Sequence, residues 1–578
     1  MTLADITKED NIVTIISGMF ALLLLGLVYT QILNYEAYFT QSQRNFIRII
    51  PIDGPRGRIF DRNGLVMVNN RISFDVSCIY QEIGSKDAFI KTVSSTLGIT
   101  PREVIKSLKK ASESPFAPVV ICEDVDKAKA IALEELEEDL QGLVVENRSK
   151  RDYPLADSGA HIFGYLGEIN EKELERLKDY GYRMRSMIGR SGVEKYFNNY
   201  LMGIDGGEQV EVDSKGRRVN ILGMKEPVSG KDIQLTVDTR LQLLVDKLLA
   251  NKVGAIVIMD PRDGSILAMA SRPSYDPNAF IDPKGGLERL RLLRSGSKPL
   301  LNRALGGLYP PGSVFKMVIA SAGIETKKIS GSTRFGCPGR FSLGNALFHC
   351  WKESGHGSQD VVDAIKNSCN VFFYNTGRAL GVDVIESYAV KFGFGRPTGI
   401  ELQEESAGLV PGRLWKMLTL KDMWYEGETV NYAIGQGYLL VTPIQIVRMT
   451  TAVANGGRLV RPYIVKKIGG VDVSGTRFQD TGISREALRL VREGMRRVVQ
   501  DDSGTGRRAR VQGVLIGGKT GTAQNPKGAS HAWFTGFAPW DDPRMAIVIL
   551  IEHGGKGGIG PADMAQEIFK EAKEMGLV

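Results

Sequence analysis

The amino-acid sequence predicts an α+β protein of several domains with a single transmembrane helix at its N-terminus. Three patterns predict it. The segment 12–33 carries no charge, the region from 34 to about 230 mixes a strand pattern with charged helical stretches, and the region 231–578 joins a long apolar helix to β-rich runs. With 578 residues the chain exceeds one ordinary domain, and 43% hydrophobic residues are ample for sizeable cores.

The uncharged segment 12–33 is predicted to be one transmembrane helix that follows a short tail, residues 1–11. About 20 apolar residues span the roughly 30 Å hydrocarbon core of a bilayer. A cleaved signal peptide is the alternative, but it usually has a basic start, a shorter apolar core and a small-residue cleavage site. The stretch Gln31–Tyr35 offers no such cleavage site. The flanking charges do not fix the orientation of the helix.

Residues 34–230 are predicted to form an elongated, mixed α/β pedestal domain without catalytic residues. Ser73–Tyr80 alternates as a strand whose one face carries Phe74, Val76, Cys78 and Tyr80. The stretches 128–140 and 171–178 are charged and helical, which favours exposed faces. The region contains no nucleophile motif, metal-ligand cluster or phosphate loop, so we expect it to hold the next domain away from the bilayer and to contact partners.

The first chemical motif lies in the predicted catalytic domain, residues 231–578. Tyr309–Gly312 contains two prolines and a glycine, which break a helix, and Val314–Ala320 is apolar on every face, which predicts a buried helix. Ser313 then lies at the helix N-terminus, and Lys316, three residues on, comes within reach of its hydroxyl. Burial can lower the pKa of a lysine until it acts as the base that activates a serine. The alternative, a capping serine before a solvent-reaching lysine, leaves a lysine in an apolar run without a polar partner.

The last motif, Lys519-Thr520-Gly521, lies in the β-rich run Val514–Ala523. Glycine in a strand marks close approach by another backbone or a ligand, so we expect a sheet edge open to a peptide. Two more β-rich runs follow, His531–Phe537 and Met545–Ile551, and they predict an antiparallel meander that ends in a helix. Taken alone, the motif is more typical of a glycine-rich turn with an exposed lysine.

Between these two motifs lies Ser368-Cys369-Asn370, and the three in this order form a known set for serine acyl transfer. A lone S-x-x-K pattern is weak evidence, since it also occurs at 107–110 and 295–298. The candidate catalytic residues are Ser313, Lys316, Ser368, Asn370 and Lys519, and the candidate substrate-binding residues are Thr520, Gly521 and Thr522.

Together with these motifs, further segments resemble the class B, monofunctional penicillin-binding proteins of the elongation type, the penicillin-binding protein 2 subfamily. The resemblance covers nearly the whole chain and includes the segments Gly57–Gly64, Arg151–Pro154, Ala160–Tyr165, Gly189–Glu194 and Ala255–Asp276. His531–Phe534 resembles the elongation subfamily more than the division subfamily. The resemblance implies a dimerisation-like pedestal and a penicillin-binding, β-lactamase-like transpeptidase domain with an antiparallel sheet flanked by helices.

The resemblance also implies the reaction, D,D-transpeptidation of peptidoglycan stem peptides, with β-lactams as inhibitors and no cofactor for catalysis. Ser313 would form an acyl-enzyme with a donor stem, with Lys316 as general base and Ser368 as proton relay. The remaining site residues would bind the donor: Asn370 its peptide group, and Lys519, Thr520 and Thr522 its terminal carboxylate. The backbone N–H groups of Ser313 and Thr522 would form the oxyanion hole.

Three of the five cysteines lie near two histidines around the second motif, with the spacing Cys337-x12-Cys350-x5-His356-x12-Cys369. This contains a Cys3His ligand set. Some elongation-type relatives carry a structural zinc with carboxylate, His and Cys ligands, and here Cys337 and Cys350 would replace the carboxylates. A disulfide between Cys337 and Cys350, or unrelated thiols, are the alternatives. His349 competes with His356 as a ligand, and Cys78 and Cys122 remain unassigned.

By resemblance, the partners are a SEDS-family glycan polymerase of the RodA type and an MreC-like scaffold. The resemblance also implies a single-pass protein of the inner membrane, its catalytic domain in the periplasm. The net charge of +8 contains no run of five or six like charges, so nucleic acid is not expected. The alternatives are a D,D-carboxypeptidase, a division-type transpeptidase, a β-lactamase-like hydrolase or penicillin sensor, and a non-enzymatic polymerase activator. The acceptor amine, diaminopimelate or lysine, stays open.

Overall fold

The computed structural model describes residues 3–36, 38–39, 47–116, 118–136, 139–184, 186–212, 218–526 and 528–578. The described residues fall into two compact units, each assembled from three stretches of chain. One unit draws on 1–55, 72–150 and 203–229, and the other on 56–71, 151–202 and 230–578. The domain limits that the sequence suggests at residues 11, 33 and 230 stay predictions.

The helices are α1 (Leu3–Val28), α2 (Lys86–Leu97), α3 (Pro101–Ala111), α4 (Lys127–Glu134), α5 (Ala160–Phe163), α6 (Glu171–Leu177), α7 (Gly192–Tyr196), α8 (Asn198–Leu201), α9 (Thr239–Leu249), α10 (Asn278–Ile281), α11 (Gly286–Arg294), α12 (Lys316–Glu325), α13 (Val361–Lys366), α14 (Asn370–Leu380), α15 (Val382–Lys391), α16 (Arg413–Leu420), α17 (Glu426–Tyr432), α18 (Pro443–Ala454), α19 (Arg485–Gln500) and α20 (Gly560–Glu574). Short 3-10 turns occupy Tyr80–Glu82, Lys178–Tyr180, Gly312–Phe315 and Arg507–Ala509.

The strands are β1 (Ile47–Ile52), β2 (Ile59–Phe60), β3 (Val66–Ile79), β4 (Pro118–Val125), β5 (Leu143–Asp152), β6 (Leu166–Glu168), β7 (Met187–Gly189), β8 (Gly206–Val212), β9 (Arg218–Lys225), β10 (Ile233–Leu235), β11 (Gly254–Met259), β12 (Ile266–Arg272), β13 (Phe335–Cys337), β14 (Arg340–Leu343), β15 (Ala346–His349), β16 (Gly357–Gln359), β17 (Arg458–Val460), β18 (Val465–Ile468), β19 (Val471–Asp472), β20 (Phe478–Asp480), β21 (Gly517–Ala523), β22 (His531–Ala538) and β23 (Met545–Ile551).

The predicted N-terminal apolar helix is confirmed. Helix α1 continues through a π-helical turn, Tyr29–Leu33, so that one helix runs from Leu3 to Leu33. The stretch Val13–Leu33 is long and apolar enough to cross a membrane, and none of it is buried inside the structure. Met1 and Thr2 of the predicted tail lie outside the described residues.

The first unit contains a three-stranded antiparallel sheet in the order β1-β8-β9 and a separate packed core. In that core the second half of β3 pairs with β4, and helices α2, α3 and α4 cover the strands. Val76 and Cys78 are fully buried, as the predicted strand face requires. Helix α3 begins with a capping box between Thr100 and Glu103. Of the predicted helical stretch 128–140, the part to Glu134 is helix, and residues 137 and 138 lie outside the described residues.

The second unit is built on a five-stranded antiparallel sheet in the order β12-β11-β23-β22-β21. Helices flank the sheet: α9 packs on β12, α20 on β22 and β23, α18 on β11, β22 and β23, and α19 on β21. Because β21 is the edge strand, its outer side is not paired within the sheet. Helix α12, predicted from an unbroken apolar run, is buried from Lys316 to Gly323 and packs against α14, α15 and α19. The predicted fold class is confirmed.

Candidate active site

Ser313 lies in the tight 3-10 turn Gly312–Phe315, directly before α12, and is half-buried. The sequence predicts it at the helix start; the α-helix itself begins at Lys316, one turn later. Gly312 is required at this turn for two reasons. Its φ of +55° is a left-handed conformation, and a Cβ there would lie 2.7 Å from the Thr522 carbonyl oxygen. The backbone around Ser313 therefore passes close to strand β21.

Lys316 is fully buried, so it does not reach solvent. Its Nζ donates to Asn370 Oδ1 at 2.7 Å and to the Ser368 carbonyl oxygen at 2.8 Å, and it lies 3.3 Å from Ser368 Oγ. The ring of Phe373 is 5.4 Å from Nζ. Burial lowers the pKa of Lys316 to about 8, and negative charge on the nearby cysteine thiolates opposes this shift. A neutral amine is therefore accessible close to neutral pH.

Ser368 and Asn370 are placed by the junction between α13 and α14. Ser368 adopts a left-handed backbone (φ +50°), which is uncommon for a residue other than glycine and directs both its carbonyl oxygen and its hydroxyl at Lys316. Asn370 begins α14, and Cys369 is its N-cap. The Asn370 amide is held at both ends, because its Nδ2 donates to the His349 carbonyl oxygen at 3.2 Å while its Oδ1 accepts from Lys316.

Lys519 lies on the edge strand β21 and is fully buried, which rules out an exposed turn. Its Nζ donates to Ser368 Oγ at 2.9 Å and to the Thr520 carbonyl oxygen at 2.8 Å. The Ser368 hydroxyl thus lies between two buried amines. Burial, and then the charge of Lys316, lower the pKa of Lys519 well below its usual value. Two ammonium groups beside one hydroxyl repel each other, which disfavours the state in which Lys316 and Lys519 are both protonated. With one amine neutral, Ser368 Oγ can pass a proton from one lysine to the other.

The other predicted residues of β21 have distinct environments. Thr520 is buried and donates to Thr505 Oγ1 at 3.0 Å, and Gly521 packs its bare Cα against Val314 and Trp533. Thr522 is exposed at the edge. Sequence reasoning missed Gln436, whose Nε2 lies 3.5 Å from the Thr522 carbonyl oxygen; the glycines on either side, Gly435-Gln436-Gly437, were the available signal.

The four predicted metal ligands, Cys337, Cys350, His356 and Cys369, come together, with all ligand atoms within 4.8 Å of one another. His356 Nδ1 lies 3.6 Å from Cys337 Sγ and 3.5 Å from Cys350 Sγ. A tetrahedral zinc with Zn–S about 2.3 Å and Zn–N about 2.0 Å has S···N edges of about 3.5 Å, so the donor set fits such an ion. No disulfide joins Cys337 and Cys350 in the structure.

Of the two candidate histidines, His356 belongs to the ligand cluster. His349 contributes its backbone carbonyl oxygen instead, which accepts hydrogen bonds from Asn370 and Tyr374. A hydrogen bond from the Cys369 thiol, together with one from His356, lowers the pKa of Cys350. Cys369 connects the cluster to the catalytic motif, because it lies between Ser368 and Asn370. These four residues can hold a metal ion directly behind the two side chains that contact Lys316.

Two known protein families match the sequence of this chain. The family described as "Penicillin binding protein transpeptidase domain" matches residues 254–573, and the family described as "Penicillin-binding Protein dimerisation domain" matches residues 51–235.

The chain belongs to the penicillin-binding protein transpeptidase family.

Relatives within the family match over nearly their whole length. The peptidoglycan D,D-transpeptidase MrdA of Haemophilus influenzae is 33% identical over 590 residues, which cover 96% of this chain and 90% of the relative. The penicillin-binding protein PBP2 of Helicobacter pylori, solved in complex with MreC, superposes with a TM-score of 0.82 at 28% identity, covering 92% and 99% of the two chains. A chain of the structure "Structural coordination of polymerization and crosslinking by a peptidoglycan synthase complex" has a TM-score of 0.77 at 32% identity, with 99% of each chain covered. The penicillin-binding family predicted from the sequence motifs is confirmed.

Proposed function

We propose that this penicillin-binding transpeptidase crosslinks peptidoglycan stem peptides during cell elongation through an acyl-enzyme on Ser313. The observation that carries the proposal is the position of Ser368 Oγ, 3.3 Å from Lys316 Nζ and 2.9 Å from Lys519 Nζ, beside the turn that holds Ser313. The peptidoglycan D,D-transpeptidase activity of the MrdA relatives supports the same assignment.

In the first half of the reaction, Ser313 Oγ attacks the carbonyl carbon of the penultimate D-Ala of a donor stem. Lys316 accepts the hydroxyl proton, and the proton reaches the amine of the leaving D-Ala by way of Ser368. The peptide bond breaks, an ester to Ser313 forms, and free D-Ala departs. The backbone N–H groups of Ser313 and Thr522 would hold the oxyanion, and one such donor typically contributes about 3 kcal/mol.

In the second half, the amine of an acceptor stem attacks the ester carbonyl, a new peptide bond forms, and Ser313 recovers its proton. No ATP is needed, because the acyl-enzyme retains the energy of the broken peptide bond. The donor would lie along the free edge of β21, with its carboxylate at Lys519, Thr520 and Thr522. A β-lactam would enter the same site and acylate Ser313 without a fast second half.

The test is to incubate purified, full-length protein with lipid-linked glycan strands and to analyse the products after muramidase digestion. Crosslinked dimers from the natural protein, and none from Ser313→Ala, are expected. Release of D-Ala without dimers would indicate a carboxypeptidase. Ser313→Ala that still supports growth of a depleted strain would show a polymerase activator that does not need its chemistry.

We also propose that the cysteine cluster holds a structural zinc ion through Cys337, Cys350, His356 and Cys369. Zinc favours thiolate and imidazole ligands in tetrahedral sites, and all four ligands close such a site. Bound there, the ion would fix the α14 N-terminus and with it Ser368 and Asn370. Elemental analysis of protein purified without chelator should find about one zinc per chain, lost in Cys369→Ala and retained in Cys78→Ala. A metal-free natural protein would refute the site.

We propose further that the apolar helix anchors the chain in the cytoplasmic membrane, with the catalytic unit outside the cytoplasm, and that a glycan polymerase of the RodA type and an MreC-like scaffold bind it. The solved complexes of its relatives support these partners.

In the first unit, β9 exposes Val219, Ile221 and Met224, each more than half accessible. Replacing all three with Ser should reduce co-purification with one of these partners; unchanged co-purification of both would contradict a role for this strand.

A further inference from the structure

We propose that Tyr309 and Glu552 are positioning residues that hold the Ser313 turn against the central sheet, and that their hydrogen bond sets the rate of acylation. This role rests on the proposed function of Ser313. In the part of the chain that the structure describes, neither residue forms a hydrogen bond with any of the five candidate catalytic side chains, so both would act through the backbone of the turn.

Glu552 is held in place by a largely buried ion pair with Arg303. Glu552 follows β23 directly, and its backbone N–H donates to the Val253 carbonyl oxygen at 2.7 Å, which fixes it to the sheet. Glu552 Oε1 accepts from Arg303 Nε at 2.8 Å and from the Tyr309 hydroxyl at 2.7 Å. The side chain of Arg303 is 5% exposed and that of Glu552 20%, so the pair is largely shielded from water.

Two further hydrogen bonds fix the position of the Arg303 guanidinium. Its Nη1 donates to the Lys298 carbonyl oxygen at 3.1 Å and its Nη2 to the Ser297 carbonyl oxygen at 2.8 Å. With three of its donors satisfied, the guanidinium holds the Glu552 carboxylate in one orientation. The carboxylate oxygen that Tyr309 meets is therefore preorganised.

Tyr309 opens the segment Tyr309–Ser313, which carries the nucleophile. The Tyr309 ring is 7% exposed and makes edge contacts with Trp533, at 6.1 Å, and His531, at 5.5 Å, between ring centres. The Tyr309 backbone pairs with Val441 in both directions. The phenol oxygen is thus the one polar end of a tightly packed ring, and it meets a charged acceptor.

Two further contacts hold the same segment. Trp533 Nε1, from β22, donates to the Pro310 carbonyl oxygen at 3.1 Å, and the Gly312 N–H donates to the Gly435 carbonyl oxygen at 2.9 Å. The segment is therefore attached to the sheet at its first two residues, through the Tyr309 hydroxyl and the Pro310 carbonyl oxygen, and at its fourth residue to the loop that follows α17. Because β21, with Lys519, belongs to the same sheet, these attachments place the nucleophile and the edge strand in one rigid frame. Loss of one attachment changes the distance between Ser313 and its partners, and misplacement by about 1 Å can reduce a rate about a hundredfold.

The experiment compares Tyr309→Phe with Tyr463→Phe in full-length protein. Tyr463 also donates to a carboxylate of the same unit, Asp263 Oδ2 at 3.0 Å, away from the turn. Rapid mixing with a fluorescent penicillin separates the affinity of the first complex from the rate of acylation. We expect Tyr309→Phe to acylate about tenfold more slowly, with unchanged affinity and a melting temperature close to that of Tyr463→Phe, because one hydrogen bond to a charged group is lost in each. Tyr463→Phe should acylate at the natural rate.

A double variant decides whether Tyr309 and Glu552 act through one contact. Glu552→Gln should also slow acylation, and the variant that carries both changes should be no slower than the slower single variant. Equal acylation by Tyr309→Phe and natural protein, or slowing matched by Tyr463→Phe, would overturn the positioning role. If the natural protein is not acylated at Ser313, the proposed function fails instead, and the two failures are distinct.

Discussion

The buried amine of Lys316 makes a quantitative prediction about the pH dependence of acylation. A lysine acts as a base only in its neutral form, and burial lowers the pKa of Lys316 to about 8. The neutral fraction then rises from about 1% at pH 6 to about 50% at pH 8, so the acylation rate should rise about fiftyfold over that interval. From pH 8 to pH 9 it should gain less than about twofold.

An unperturbed lysine would behave differently, because its neutral fraction would still rise about tenfold between pH 8 and pH 9. The assay is rapid mixing with a saturating chromogenic cephalosporin at closely spaced pH values, so that the acylation step is observed apart from binding. In Lys316→Ala the residual rate should lose this pH dependence. A rate that continues to climb tenfold per pH unit above pH 8, or one that falls as the pH rises from 6 to 8, would refute Lys316 as the buried base.

Three further perturbations have defined outcomes. Burial lowers the pKa of His161 to about 4, below its value in the unfolded chain, so between these two pKa values protons bind mainly the unfolded state. The free energy of unfolding in urea titrations should therefore fall by about 2 kcal/mol from pH 7 to pH 5. His161→Gln should remove this loss. Gly312→Ala places a Cβ 2.7 Å from the Thr522 carbonyl oxygen at φ +55° and should slow penicillin acylation about a hundredfold, with Gly344→Ala, which meets no atom within 4 Å, as a folding control. Glu194→Ala removes the partner of the buried Arg151, 2.7 Å away, and should lower the free energy of unfolding by about 3 to 5 kcal/mol in a denaturant titration.

The sequence could predict the structural setting of several candidate site residues because each one lies in a local pattern with a physical meaning. The unbroken apolar run after Ser313 indicated a buried helix, and Lys316 is indeed fully buried within it. Met545–Ile551, read as a strand from its β-branched residues, coincides with β23. The Cys and His spacing predicted a ligand set, and the four ligand atoms do come together.

Contacts between residues far apart in the sequence could not be predicted from local patterns. Tyr309 and Glu552 are 243 residues apart in the chain, and no periodicity joins them. The same holds for the ion pair between Arg151 and Glu194, which lies in the second compact unit although both residues precede residue 230. The left-handed backbone of Ser368 was equally hidden, because a serine normally avoids that conformation and only the surrounding contacts enforce it.

The position of the covalent penicillin adduct shows which residue is the nucleophile. Full-length protein is treated with a penicillin, digested, and its peptides are analysed by mass spectrometry. We expect one penicilloyl group, on Ser313, and we expect the modified peptide to be missing from Ser313→Ala. An adduct on Ser368 or on any other residue, or protein that remains unmodified while its fold is intact, would contradict this expectation.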